Sequence, residues 1–141
     1  MTNEQPAIKP ALPGWVMRSH PNTFSAHAGP FYFREGGSTP GVGFFSEPHH
    51  ANLGNVVHGG ALMTLADMAL FDIWFRAEGR TFKAVTVTMN TEFLNPAPIG
   101  EFIEASGEMV KTGKRLSFVR GLVVARGKSV LAFSGTLMRV S

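Results

Sequence analysis

Hydrophobic residues follow a helical spacing in one long segment of the chain, residues 59–77, which ends at the common stop signal Glu78-Gly79. One stripe of the helical wheel is formed by Leu62, Leu65, Ala66, Ala69, Leu70 and Ile73. Further apolar residues lie on the other sides of the wheel, namely Met63, Phe71, Trp74 and Phe75. A helix that is apolar nearly all round is predicted to be buried nearly all round.

The other apolar segments are predicted to be strands. Two short segments before the helix, 31–33 and 41–46, flank a glycine turn and predict a hairpin. Four longer segments follow the helix, at 85–94, 101–110, 115–125 and 129–140. A proline-rich break at 95–98 and glycine turns at 112–113 and 127–128 separate them. Residues 1–10 are predicted to be a loose tail, and 12–18 a short helix or a covering segment.

This order of elements predicts an α+β fold, with an antiparallel sheet of about six strands wrapped on one long central helix. One sheet of six short strands cannot surround a helix that is apolar on all sides, whereas a second copy of the chain could. Only 16% of the 141 residues are charged, which also indicates that some surface is buried in an oligomer. We therefore expect a homodimer, paired further into a homotetramer.

Composition and charge narrow the possible functions. The chain has no Cys, so it has neither a thiol nucleophile nor a disulfide framework. Its net charge is +3, but Lys111, Lys114 and Arg115 form the only local basic group, which suits a small anionic ligand at least as well as nucleic acid. No apolar run is long enough for a membrane span, and the N-terminus lacks the apolar core of a signal peptide. We therefore expect a cytoplasmic protein with no membrane or nucleic-acid partner.

The loop at 49–60 opens directly into the helix and ends in Gly59-Gly60. The first backbone N–H groups of a helix are unpaired and carry the positive end of its dipole, so they can bind an anion or an oxyanion. Paired glycines would let a substrate carbonyl approach this backbone closely. The alternative is a glycine-rich turn with no chemical role.

Asp67 is a mid-helix carboxylate flanked at helical spacing by Met63, Phe71 and Trp74. Burial among these side chains would raise its pKa and suit it to act as a base or a nucleophile. The alternative is a structural Asp paired with an Arg or a backbone donor. Asp72 lies on a different side of the helix and is interpreted as structural or solvent-facing.

Three histidines, His49, His50 and His58, fall within ten positions and raise the question of a metal site. No carboxylate at ligand spacing joins them and the chain has no Cys, so no metal site is predicted. His50 is expected to pack or to hydrogen-bond within the loop.

The spacing of Asn52, His58-Gly59-Gly60 and Asp67 resembles the signature of PaaI-like hotdog thioesterases, which are related to the 4-hydroxybenzoyl-CoA thioesterase superfamily. Residues 89–97, followed by Gly100-Glu101, are similar to the strand and turn after the helix in that family. The likeness covers about residues 30–140. It implies a hotdog thioesterase domain at 30–141 and an N-terminal extension at 1–29, which is expected to cap the acyl pocket.

The resemblance also implies a role for each matching residue. The backbone N–H of Gly59 would polarise the thioester carbonyl, and Asn52 would orient the attacking water or the thioester. Asp67 would be the general base or nucleophile, Thr86 would help to hold the water, and His58 would support the loop. In the family the site lies between two subunits.

The implied reaction is hydrolysis of acyl-CoA thioesters, with coenzyme A as part of the substrate and no other cofactor. The phosphates of coenzyme A are expected to bind at Lys111, Lys114 and Arg115. A non-catalytic acyl-CoA-binding protein and a hotdog enoyl-CoA hydratase remain as alternatives. The acyl group is left open, since the aromatic residues that could line an apolar tunnel are also ordinary core residues. These are Trp15, Phe24, Phe71, Trp74 and Phe75.

Overall fold

A computed structural model of the chain describes residues 12–36, 39–79 and 83–140. Its elements, in chain order, are β1 (Trp15–Arg18), α1 (Phe24–Ala28), β2 (Phe31–Arg34), β3 (Val42–Phe45), α2 (Gly59–Glu78), β4 (Ala84–Phe93), β5 (Phe102–Thr112), β6 (Leu116–Ala125) and β7 (Lys128–Arg139). The predicted helix, the hairpin and the four later strands are all present, within one or two residues of their expected bounds. The predicted tail, 1–10, lies outside the described residues.

The strands form one antiparallel sheet in the order β1-β2-β3-β5-β6-β7-β4. It has seven strands, one more than the six that the sequence predicts. The additional strand is β1, so the prediction of a short helix or a covering segment at 12–18 is wrong for 15–18. Pairing with β2 satisfies the backbone groups on one side of β1, and the Trp15 ring packs edge-on against Phe102 at 5.0 Å between centroids.

The helix α2 contacts the five strands from β3 to β7, so the sheet wraps around it. All six residues of the predicted stripe are buried. Trp74, on another side of the helix, is buried as well, whereas Met63, Phe71 and Phe75 are half-buried in the protomer. The helix stops at Gly79, whose φ of 83° lies in the left-handed region that favours glycine.

Asp72 ties the helix to the strands. Its side chain is buried, forms an ion pair with Arg76 at 3.1 Å and accepts a hydrogen bond from the backbone N–H of Gly41 at 2.9 Å. The guanidinium of Arg76 also donates to the backbone carbonyl of Arg34. The structural interpretation of Asp72 is therefore correct and the solvent-facing one is wrong.

Candidate active site

The start of α2 is organised by His58. Its backbone is extended, and its Nδ1 accepts a hydrogen bond from the N–H of Gly60 at 2.8 Å, which makes it the N-cap. The backbone N–H of His58 donates to the carbonyl of His50. His58 therefore holds the glycine turn in place.

Gly59 is the first residue of the helix and is half-buried. Within the described part of the chain, no group accepts a hydrogen bond from its backbone N–H. A Cβ at Gly59 would lie 3.0 Å from the ring of Phe93, so the ring covers one side of this position. The geometry leaves a donor at the positive end of the helix dipole, as the oxyanion interpretation requires.

Asp67 lies two turns further along α2 and is half-buried. Its Oδ1 accepts a hydrogen bond from the hydroxyl of Thr86, on β4, at 2.8 Å. The side chains of Asp67 and Thr86 are thus brought together within a single protomer.

A β-bulge in β4 places Thr86 on this side of the sheet. Thr86 pairs with Leu137, a core residue on the helix side, whereas Thr88 pairs with Thr136 on the opposite face, and the register shifts between the two threonines. Without the bulge, residues 86 and 88 would point to the same face. The same shift brings Met89, three residues after Thr86, to the helix side, where it pairs with Gly135.

A cavity of about 520 Å³ opens beside Asp67. Its walls come from α1 with its cap, from α2 and from β4. They are formed by Thr23, Phe24, Ser25, Gly60, Met63, Thr64, Asp67, Met68 and Met89. Of the five aromatic residues that could line a tunnel, Phe24 is in this wall, while Trp74 is core, as the alternative interpretation has it, and Trp15 packs on the sheet.

The sequence places Met63 beside Asp67 but gives no indication of the other two methionines of the wall. Met63 and Met68 lie on the flank of the helical stripe, and Met89 depends on the bulge in β4. Met68 looks like an ordinary core residue in the sequence, and no local pattern indicates that Met89 lies beside the carboxylate.

Asn52 is exposed and organises the loop before the helix. Its Oδ1 accepts hydrogen bonds from the backbone N–H groups of Gly54, at 2.8 Å, and Val56, at 3.3 Å. Its side-chain NH2 group makes no bond to any described residue. Asn52 is not among the residues that line the cavity beside Asp67 in the same protomer.

The loop brings Glu47, His49 and His50 together, with potential ligand atoms within 4.8 Å of one another. The prediction that no carboxylate joins these histidines is wrong for Glu47, because the short helical turn Pro48–His50 brings Glu47 back towards both imidazoles. Existing hydrogen bonds already engage both nitrogens of His50. Nδ1 accepts from the N–H of Glu47 at 2.9 Å, and Nε2 bonds to the carbonyl of Ala28 at 2.5 Å. The ring is also buried against Phe44, so His50 packs and hydrogen-bonds as expected.

Lys111, Lys114 and Arg115 are exposed at the hairpin between β5 and β6. Arg115 reaches the sulfur of Met138 at 3.8 Å. Across neighbouring strands, Thr86 pairs with Leu137, Leu137 pairs with Ser117, and Ser117 pairs with Thr112. The hairpin therefore lies at the same end of the sheet as Thr86. Two to three strand spacings, or roughly 10–14 Å, separate the backbone of the hairpin from that of Thr86.

Comparisons with known proteins agree with the family and the fold that the sequence indicates. The family model of the thioesterase superfamily matches residues 54–132, more than half of the chain. Mouse acyl-coenzyme A thioesterase 13 is 31% identical over 90 residues, which cover 58% of this chain and 64% of that protein. The part of the chain that the structure describes has no helix with the length and apolarity needed to cross a membrane.

Two solved structures share the fold. A mutant of the phenylacetic acid degradation protein PaaI from Thermus thermophilus superposes with a TM-score of 0.72 and 26% identity, over 83% of this chain and 98% of that one. The BH2602 protein from Bacillus halodurans, solved with CoA, superposes with a TM-score of 0.71 and 27% identity, over 77% of this chain and 73% of that one. The resemblance seen in the sequence is thereby confirmed. The chain belongs to the thioesterase superfamily, as a PaaI-like thioesterase with the hotdog fold.

Proposed function

We propose that this thioesterase hydrolyses acyl-CoA thioesters to a free acid and coenzyme A, with Asp67 as the catalytic carboxylate. The observation that carries the proposal is the hydrogen bond from Thr86 to Oδ1 of Asp67 at the wall of the cavity. The acyl-CoA substrate is supported by the mouse relative's name and by the CoA in the Bacillus halodurans structure.

In the proposed reaction, Asp67 acts as a general base through Oδ2 on a water that also donates to the hydroxyl oxygen of Thr86. The water oxygen attacks the thioester carbonyl carbon while one proton passes to Asp67. The carbon–sulfur bond then breaks, and that proton passes to the departing thiolate of coenzyme A.

Direct attack by Asp67, giving an anhydride that water hydrolyses, suits the same position. A single turnover in oxygen-18-labelled water that labels Asp67 would favour this second route.

Gly59 would supply the oxyanion donor. Negative charge builds on the carbonyl oxygen during attack, and a preorganised backbone N–H at a helix start stabilises that charge. His58 keeps the donor in place by capping the next residue, Gly60. Asn52 would present its side-chain NH2 group to the water or to the thioester, while its Oδ1 holds the loop.

The reacting groups have to come from two protomers. Gly59 and Asp67 are eight residues apart on one helix, about 12 Å along its axis, whereas an attacker must lie within about 3–3.5 Å of its target. Two antiparallel copies of α2 about a twofold axis would place the Gly59 of one beside the Asp67 of the other. We therefore propose an obligate dimer with shared sites, paired further into a tetramer.

The edge strand β4 is the proposed dimer contact. It is ten residues long, it pairs with β7 on one side, and no described strand pairs with its other side. A long open edge with exposed apolar side chains tends to pair with another chain, and Val85, Val87 and Phe93 are all exposed here. Joining two β4 strands would cover this edge and bring both Asp67–Thr86 pairs to the interface.

Coenzyme A phosphates are proposed to bind at Lys111, Lys114 and Arg115. These exposed cations lie at the end of the sheet where Thr86 lies. We propose that no metal or other cofactor takes part, since the cavity beside Asp67 contains donors and a carboxylate but no set of metal ligands.

The test is a panel of acyl-CoA thioesters assayed by release of free thiol, with Asp67→Asn as the control variant. Because the chain has no Cys, the protein adds no thiol to the readout. Hydrolysis that survives prolonged chelation and depends on Asp67 is the expected result. Binding of acyl-CoA without thiol release would favour the non-catalytic alternative. Hydration of an enoyl-CoA would favour the hydratase, and activity that is lost on chelation and restored by zinc would contradict the metal-free mechanism.

A further inference from the structure

The short helix α1 lies over the cavity beside Asp67. Thr23 caps it, since its hydroxyl accepts from the N–H of Ala26 at 3.3 Å and donates to the carbonyl of His20 at 2.7 Å. Phe24, the first residue of the helix, lines the cavity although 71% of its surface is exposed. The polar cap fixes the helix start and leaves an aromatic ring beside the proposed catalytic carboxylate.

The other end of α1 is attached to the loop that leads into α2. The carbonyl of Ala28 bonds to Nε2 of His50 at 2.5 Å, and the carbonyl of Gly29 bonds to Nε2 of His49 at 3.1 Å. Because Nδ1 of His50 accepts from the backbone N–H of Glu47, its Nε2 carries the proton and is the donor to Ala28. The two imidazoles stack at 3.8 Å between centroids, so they hold α1 as a unit.

The helix α2 and the strand β4 add flexible apolar side chains to the wall of the cavity. Met63, Met68 and Met89 line it, and among the described residues of the wall only Asp67 is charged. Methionine side chains have three rotatable bonds and repack easily, whereas a Phe ring is rigid. An acyl chain entering this space can displace the methionines, whereas the ring of Phe24 is rigid and is carried by a helix whose backbone is held at both ends.

We infer that α1 is a cap on the acyl side of the site and that Phe24 determines the largest acyl group that is accepted. This inference rests on the proposed acyl-CoA hydrolysis. Phe24 is a specificity-determining residue, and His49 and His50 are positioning residues that act through the cap.

The experiment compares kcat/KM for butyryl-CoA and dodecanoyl-CoA in the wild-type enzyme, Phe24→Ala and Phe24→Trp. A change in the wall of an apolar pocket alters the ratio of kcat/KM between a short and a long acyl chain by about 10-fold or more. The ratio of dodecanoyl to butyryl activity should therefore rise about 10-fold in Phe24→Ala and fall in Phe24→Trp. His49→Ala, which releases Gly29 from an exposed imidazole, should raise the ratio by a smaller factor. The matched control is Phe118→Ala, because Phe118 is also partly exposed but lies on the sheet face away from α2.

Two outcomes would overturn the inference: an unchanged ratio in Phe24→Ala, whether or not both activities fall, or the dissociation of the Phe24→Ala oligomer in size-exclusion chromatography. The last result would make Phe24 a subunit contact. A wild-type enzyme that hydrolyses no acyl-CoA would instead contradict the proposed function, and the two failures are thus distinguished.

Discussion

Thr86 donates a hydrogen bond to Asp67 over 2.8 Å, and this contact joins β4 to the middle of α2. The bond engages Oδ1 of the carboxylate and fixes its orientation, so Oδ2 is left for a water or a substrate atom. It depends on the bulge in β4, because regular alternation would give Thr86 and Thr88 the same face of the sheet.

Asp67→Asn should lower kcat by about 10²- to 10⁴-fold, because a neutral amide cannot take a proton from water. The matched control is Asp72→Asn, five residues further along the same helix. Asp72 is a buried ion-pair partner of Arg76, so its loss should cost about 3–5 kcal/mol of unfolding free energy and leave kcat near normal below the melting temperature. Steady-state kinetics with thermal melts would separate the two effects. Wild-type turnover in Asp67→Asn would remove Asp67 from the mechanism.

Thr86→Val should lower kcat by roughly 10-fold or more, since a hydrogen bond to a charged group contributes about 1.5–3 kcal/mol. Val keeps the shape and the β-propensity of Thr, so the fold should be retained. Thr88→Val, an equal change on the opposite face of the strand, should have no effect on kcat. Equal losses in both variants would mean that strand stability, rather than orientation of Asp67, is being measured.

Asn52→Ala should lower kcat by about 10- to 1000-fold, the range for losing an oriented polar group at a reacting centre. Because Ala also removes the acceptor of Gly54 and Val56, a second variant is needed to separate catalysis from loop structure. Asn52→Asp keeps this acceptor but loses the NH2 donor. It should show the same loss of kcat with a wild-type melting temperature. Normal activity in Asn52→Asp would reduce Asn52 to a loop-structuring residue.

Mixed subunits test the shared site. Asp67→Asn and Asn52→Ala homodimers should each be nearly inactive. After random exchange, half of the dimers are heterodimers, and each rebuilds one of its two sites by symmetry, so about a quarter of the wild-type activity should return. Native mass spectrometry would verify that heterodimers form. A mixture that stays inactive despite them would place the complete site within one chain.

Removing the three basic side chains at the β5–β6 hairpin should raise KM and leave kcat little changed. Increasing salt should do the same to the wild-type enzyme, because it screens contacts with the coenzyme A phosphates. The control is the double variant Arg126→Ala and Lys128→Ala, which removes exposed charge around the turn between β6 and β7. If the triple Ala variant of Lys111, Lys114 and Arg115 has a wild-type KM, the phosphates bind elsewhere.

Local sequence signals were sufficient for most of the fold. The apolar stripe and the flanking glycines located α2 to within one residue, because helix periodicity and capping act over a few positions. The glycine turns separated the later strands for the same reason. β1 was missed because its four residues carry no alternation of their own, and they become a strand only by pairing with β2.

The motif spacing also selected the candidate residues, and it distinguished Asp67 from Asp72 by their sides of the helix. It did not indicate that His49 and His50 reach back to α1, that Asn52 uses its Oδ1 on its own loop, or that Met89 lines the cavity. Each of these relationships depends on hydrogen bonds or register shifts formed only after the chain has folded.

The sequence by itself thus determined which residues lie on which element, since helix periodicity, strand alternation and turn chemistry are local. The tertiary structure decided which elements meet: it set Thr86 against Asp67 through one inserted residue in β4, and α1 over the cavity through two histidine–carbonyl bonds. A bulge inverts every later side chain of a strand, and a long-range hydrogen bond joins residues that no local pattern relates. Neither is encoded in the periodicity of any single segment.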